Sequence, residues 1–238
     1  MKACRLHQEN KERAGGFMKT VKNVCIVIGL FLLSQISMTT FGLVKLHYLE
    51  VGENYIPSLV SYGLIALILI NIGLTMWLAK KLRLASFTFD WSTKRNWGWI
   101  IGAFVMGRII AIVGTLFLQA NTGQQTTAND ALLNNIFSGE NPLLIFLLLA
   151  VAAPVMEEIV FRGGIIGLVF KNYQIAGIIV SISLFGLAHT ATSWIEFVIY
   201  ALIGLLMALV YVKTKRLEAA IAVHFLNNVI GAIAMMFL

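Results

Sequence analysis

Apolar residues in this chain come in long unbroken runs rather than in alternation, and the runs are separated by short polar, often basic, stretches. Seven runs stand out: Val24–Val44, Pro57–Ala79, Trp97–Leu118, Pro142–Phe170, Ile175–His189, Trp194–Val212 and Leu217–Leu238. A bilayer core about 30 Å thick is crossed by about 20 apolar residues in an α-helix, so each run predicts a spanning helix. Barrel strands would alternate apolar and polar positions, and these runs do not. The fourth run is longer than a span needs, which predicts tilt, a break or an extension into water. The fifth is short.

Composition changes this picture only by hardening it. Of 238 residues, 59% are hydrophobic and 12% are charged, against about a quarter charged in an ordinary soluble domain. Mean hydropathy is +0.85. Too few polar side chains remain to coat a soluble globule, and a disordered chain is excluded by the same numbers. The two cysteines, Cys4 and Cys25, do not make a disulfide framework. The predicted fold is all-α, a polytopic transmembrane helical bundle of about seven spans.

The net charge of +7 is read first as topology. Fifteen of the 18 basic residues fall on alternate connections: Lys2 to Lys22 before the first run, Lys80 to Arg95 after the second, Lys171 after the fourth, and Lys213, Lys215 and Arg216 after the sixth. The other side holds only Lys45, while Arg108 and Arg162 lie within runs. By the positive-inside rule the N-terminus is cytoplasmic and the C-terminus outside. The charge then serves as an address within a lipid bilayer, and no nucleic-acid partner is expected. The first run is too long for a signal-peptide core and lacks an Ala-x-Ala site, so it reads as a signal anchor. Met18, followed by Lys19-Thr20-Val21-Lys22, reads as an alternative start, with the first 17 residues unstructured or extraneous. The division expected is a basic cytoplasmic tail (1–22), variable N-terminal spans (23–141) and a membrane core carrying the chemistry (142–238). The polar segment Gln119–Asn141 is expected to be an outer loop.

One cluster of ionisable residues stands where the membrane should exclude it. The fourth run contains Pro154, Glu157, Glu158, Arg162, Gly163 and Gly164. A charge at mid-bilayer costs about 2.5–3.5 kcal/mol on insertion scales, which makes such residues functional candidates. Glu158 and Arg162 are four apart and share a helix face, so they can pair. Glu157 is turned about 100° away and lacks that partner. The expectation is a structural Glu158–Arg162 pair and a free, working Glu157. Pro154 removes a backbone hydrogen bond and predicts a kink. Gly163, Gly164 and Gly167 predict close helix packing. His189 ends the fifth run, and His224 lies in the seventh, four residues before Asn228. His224 and Asn228 share a face and offer two neutral donors, as a developing oxyanion requires. Residue counting sets His189 farther from the basic end than His224. The bland alternative for each residue is a polar side chain bonding a neighbouring helix. Arg108, mid-run, has no assigned role: snorkelling, pairing or substrate-carboxylate binding all suit it.

Taken in order, Glu157-Glu158-x-x-x-Arg162, Phe185-x-x-x-His189 and His224-x-x-x-Asn228 resemble the motif set of the CPBP family, the CAAX proteases and bacteriocin-processing (Abi-type) intramembrane endopeptidases. The resemblance covers Pro142 to Leu238. It implies a helical membrane core with a polar cavity open to the cytoplasm, in which Glu157 and His189 activate water, His224 and Asn228 form the oxyanion hole, and Glu158 and Arg162 orient the site. The implied partner is a membrane-associated peptide or protein substrate, in bacteriocin or peptide-signal processing or self-immunity. The family has been described both as metal-dependent and as glutamic proteases. No His-Glu-x-x-His motif is present and no cofactor is expected, although one glutamate with two histidines could ligate zinc. Two other classes stay open: a non-enzymatic immunity or scaffold protein of the same fold, and a proton-coupled transporter, which would show internal repeats and paired broken helices.

Overall fold

A computed structural model describes the backbone of residues 2–237 and the side chains of Gly16 and of residues 18–237. The side chains of Lys2, Cys4, Arg5, His7, Lys11 and Arg13 lie outside the described residues. The helices are α1 (Lys2–Glu50), α2 (Ser58–Lys81), α3 (Lys94–Thr122), α4 (Ala128–Phe137), α5 (Pro142–Ile145), α6 (Ala153–Glu158), α7 (Gln174–Ala188), α8 (Trp194–Thr214) and α9 (Leu217–Met235). Two π-helical stretches, Phe146–Ala152 and Ile159–Val169, join α5 and α6 into one continuous fourth span. No strand occurs among the described residues. Six helices are long and apolar enough to cross a membrane, and α7, with 15 residues, is a shorter apolar helix. The protein is an all-helical, multi-pass membrane bundle, as the runs predicted.

Each helix starts and stops where local chemistry demands. Thr93 caps α3 by accepting from the Asn96 N–H, and α3 ends on Gly123 at φ +76°. Asn141 caps α5 at the N–H groups of Leu143 and Leu144, with Pro142 in the first turn, where its missing N–H costs nothing. Two expectations are corrected. Residues 119–141 are not simply a loop: Thr127 caps the short helix α4, and Phe137 at its end stacks on Phe41 at 4.4 Å, so apolar burial holds the segment against the bundle. Residues 2–17 are not unstructured either, since α1 runs from Lys2 without a break.

The fourth span is the hub. Of its most apolar stretch, 67% is buried inside the protein, against 17% for α3. It packs against α1, α2, α7 and α9, while α8 packs against α3, α7 and α9. Close approach requires glycine: a Cβ on Gly164 would sit 2.9 Å from Val27 on α1. The span does not break at Pro154. Instead the π-stretch before Pro154 widens the turn, and a second π-stretch follows Glu158, so the two glutamates sit on a short α segment between two irregular ones. Such π-bulges recur at functional sites because they re-aim side chains.

The two ends of the bundle are tied separately. At one end Asn54, Ile56, Lys45 and Glu140 are bonded together, and α4 is bonded to α8. At the other, basic end Glu218 accepts from Ser86 and Phe87, and Arg216 donates to Ser86.

Candidate functional site

Glu157 and Glu158 leave α6 in different directions, and each meets a different set of partners. Arg162 Nη1 donates to Glu158 Oε1 at 3.0 Å, with both side chains fully buried. The same guanidinium donates through Nη2 to the Gly204 carbonyl at 2.8 Å and lies 4.5 Å over the Phe185 ring. Gly204 lets the helices come close here: a Cβ would stand 3.0 Å from Phe185 and 3.3 Å from Arg162 Nη2, so a larger residue would push on both. The pair expected from i,i+4 spacing is therefore formed, and it also fastens the fourth span to α8.

His224 adds a third member. Its Nδ1 lies 2.8 Å from Glu158 Oε1. Its Nε2 is 4.0 Å from Glu157 Oε2. His189 Nε2 is also 4.0 Å from Glu157 Oε2, and its Nδ1 is 2.7 Å from the Phe185 carbonyl. Each imidazole thus uses Nδ1 on an acceptor, which makes Nδ1 the protonated nitrogen and turns Nε2 toward Glu157. The unequal depths suggested by residue counting do not separate the two histidines: α7 is short, about 22 Å at 1.5 Å per residue, and both imidazoles converge on one carboxylate oxygen.

Asn228 points elsewhere with one hand. Its Nδ2 donates to the Leu149 carbonyl in the first π-stretch at 3.1 Å. An amide has two N–H groups, so one is used to hold the fourth span and one remains. Arg108 is half-buried at the middle of α3 and is not brought to this cluster by any bond among the described residues.

Three atoms at the centre are buried without a hydrogen-bond partner among the described residues: Glu157 Oε2, Glu158 Oε2 and Arg162 Nε. Buried polar atoms are nearly always paired, so an unpaired set in one place marks a site that accepts water or substrate. The Glu157 side chain is 26% exposed, whereas those of Glu158 and Arg162 are sealed. Zinc does not fit this arrangement as placed. Metal bonds near 2 Å bring tetrahedral ligand atoms to about 3.4 Å from one another, and Glu157 Oε2 stands 4.0 Å from each imidazole nitrogen.

Sequence reasoning passed over two residues that frame the cluster, Tyr200 and Glu196, and named a third, Phe185, only as the start of a motif. Tyr200 stacks on His189 with ring centroids 4.4 Å apart and planes at 22°. Glu196 is fully buried and accepts from the N–H groups of Ala128 and Thr192. Phe185 lies under both histidine rings. Glu196 was visible as a third carboxylate within an apolar run, with Ser193 three residues before it as a capping signal. Tyr200 carried no signal, since aromatic residues are ordinary in spanning helices.

A multi-pass bundle with a buried carboxylate–histidine cluster at its hub is the class that the fold and site define. Residues 139–230 match the family described as type II CAAX prenyl endopeptidase Rce1-like, and all six sequence-predicted site residues fall within the match. This segment is similar to the CAAX-protease family that the sequence motifs resemble. Similar curated proteins include UPF0177 protein YvdC of Lactococcus lactis subsp. lactis (strain IL1403), 28% identical over 134 residues, which are 56% of this chain and 51% of YvdC. The membrane-embedded CAAX protease MroQ of Staphylococcus aureus (strain USA300) is 35% identical over 138 residues, covering 55% of this chain and 54% of MroQ. YdiL of Bacillus subtilis (strain 168) is 29% identical over 134 residues, covering 55% and 51%. The chain spans about half the length of these relatives. No solved structure matches it significantly.

Proposed function

We propose that the chain is an intramembrane endopeptidase that hydrolyses a peptide bond of a membrane-associated protein or peptide by glutamate- and histidine-activated water. The observation that carries this reading is the convergence of His189 and His224 on Glu157 Oε2, a buried oxygen without a bond of its own. A water within about 2.8 Å of two atoms spans a 4.0 Å gap when its two bonds meet at about 90°. Such a water between Glu157 and His189 gives up a proton to Glu157 as its oxygen attacks the scissile carbonyl carbon. The C–O bond forms, and the carbonyl electron pair moves onto oxygen. Asn228, through its second N–H, and His224, when its Nε2 carries a proton, face that oxyanion. Collapse breaks the C–N bond, and the proton on Glu157 passes to the leaving amine.

Glu158, bonded to both Arg162 and His224, orients His224 and does not itself react.

Substrate access is supported by an apolar groove of about 290 Å³ lined in part by Phe87, Trp91, Pro154, Val155 and Phe225. Pro154 is one turn from Glu157, and Phe87 and Trp91 belong to the basic end. With the basic end cytoplasmic by the positive-inside rule, an apolar segment enters from the cytoplasmic half of the bilayer. MroQ bears the name of a membrane-embedded CAAX protease, which supports proteolysis, and the motif resemblance extends the reading to bacteriocin or peptide-signal processing or self-immunity.

The test is mass-spectrometric mapping of protein termini in membranes from cells expressing the wild type, Glu157→Gln or His189→Ala, each at equal membrane abundance. Termini present only with the wild type are expected, with cleavage lost by about a hundredfold or more in both variants. Identical termini in all three strains overturn the reading and leave a non-enzymatic immunity or scaffold role in its place.

A further inference from the structure

His189 is the least securely placed member of the cluster by its backbone. It stands just past the end of α7, and Thr190 after it adopts φ +48°, a left-handed conformation unusual for a residue with a branched side chain. A side chain on such a turn holds a fixed geometry only if neighbours hold it. One neighbour is local: the Phe185 carbonyl one turn earlier takes Nδ1. The other comes from α8, where the Tyr200 ring lies nearly parallel to the imidazole at 4.4 Å. Phe185 stands on another side of the imidazole at the same centroid distance, tilted by 41°. The imidazole is therefore braced by two rings and one hydrogen bond, with Nε2 left toward Glu157.

Tyr200 is itself anchored. Its hydroxyl lies 2.7 Å from Thr127 Oγ1 and donates to Asp130 Oδ1 at 3.2 Å. Thr127 is the N-cap of α4 and accepts from the Asp130 N–H at 3.2 Å. One turn before Tyr200 on the same face of α8, Glu196 takes the Ala128 N–H at 3.1 Å and both donors of Thr192, at 2.7 and 3.1 Å. Two residues four apart on α8 thus tie together the first turn of α4, the turn after His189 and the imidazole ring. Glu196 is fully buried, and Thr127 is 3% exposed.

We propose that Tyr200 is a positioning residue for His189: its ring backs the imidazole, and its hydroxyl, held by Thr127 and Asp130, makes α4 part of the frame of the site. Tyr200 touches no reacting atom. The ring limits the imidazole to orientations in which Nε2 faces Glu157, and the anchor limits the ring.

The experiment is nitrogen-15 histidine NMR of the full chain in lipid nanodiscs, with the His189 signals assigned by their loss in His189→Gln. The wild type is expected to show one sharp pair of His189 resonances with Nδ1 protonated. Tyr200→Leu removes the backing, and the His189 pair is expected to shift toward averaged tautomer values. Tyr200→Phe and Thr127→Val keep the ring but release its anchor, and the pair is expected to broaden. Wild-type His189 resonances in Tyr200→Leu or Tyr200→Phe overturn the proposal, and if the leucine variant does not fold, the phenylalanine variant decides alone. A companion measurement, which rests on the proteolytic reading, follows a cleavage event found by terminus mapping. Tyr200→Leu lowers its kcat by about tenfold to a hundredfold at unchanged KM, and Tyr200→Phe lowers it less. The resonances report on the brace whether or not the chain cleaves anything, so failure of one reading is distinguishable from failure of the other.

Discussion

Two buried ion pairs among the described residues hold this bundle, and they are built on opposite principles. Near one end, Lys45 Nζ donates to Glu140 Oε1 and to the Asn54 carbonyl, while the Ile56 N–H approaches both oxygens of Glu140. Neither Lys45 Nζ nor either Glu140 oxygen is left without a partner. At the hub, Glu158 and Arg162 pair just as directly, but Glu157 Oε2, Glu158 Oε2 and Arg162 Nε are left over. The first pair is a closed clamp between the ends of α1, the α1–α2 turn and the entry to the fourth span. The second is an open one, with unused hydrogen-bonding capacity directed at a single place. Burial of charge alone therefore does not mark a functional site; what sets the hub apart is that three unpaired atoms belong to one cluster of charged side chains, where water or a ligand would complete the set.

The sharpest break of this comparison is removal of one partner from each pair. Arg162→Leu leaves Glu158 buried without its cation and should destabilise the protein by about 3–5 kcal/mol, and Glu140→Leu should cost a similar amount by stranding Lys45. Reversible unfolding in mixed micelles measures both, and a loss under about 1 kcal/mol in either would show that the stranded charge finds water.

Next in size is the double replacement. Lys45→Met with Glu140→Leu removes both charges of the clamp together, and its stability should return to within about 1–2 kcal/mol of wild type, since a buried pair exchanged for apolar side chains is often neutral. Cleavage at the sites found by terminus mapping should be retained. The matching double replacement at the hub, Glu158→Leu with Arg162→Met, should recover stability but not cleavage, because His224 loses the acceptor at its Nδ1. Equal recovery of cleavage in both doubles would erase the distinction between clamp and site.

The smallest effect expected is that of Asn228→Ala. It removes one interhelical hydrogen bond to Leu149, worth about 1 kcal/mol, together with the second amide N–H that the proposed mechanism assigns to the oxyanion. A small change in unfolding free energy with a larger fall in kcat would separate its two uses, whereas a fall in stability alone would assign Asn228 to the closed, structural class.

What was legible in the chain depended on sequence separation. The spans followed from hydropathy because the bilayer imposes one length and one polarity on every helix that crosses it. Glu158 and Arg162 could be paired on paper because four residues of helix bring them together wherever the helix goes. The contact survives although Arg162 lies in a π-stretch, since its long side chain absorbs the change of pitch. Nothing local foretold the π-stretches or α4. The first needs the competing packing of α1, α2 and α9 around one helix, and the second needs Phe41 and Glu196 waiting for it.

Sequence by itself determined that this is a lipid-embedded helical bundle, that its charge is distributed by side, and that Glu157, Glu158, Arg162, His189, His224 and Asn228 are its exceptional residues. Each of those statements concerns composition or spacing within one helix. Only the tertiary structure decided which of the exceptional residues meet. Glu158 and His224 are 66 positions apart, and Lys45 and Glu140 are 95 apart. Such contacts are fixed by how helices cross, where small residues let them approach, and how far a short helix such as α7 reaches. That geometry turned two histidines onto one oxygen of Glu157, and it placed Tyr200, unremarked in the sequence, against His189.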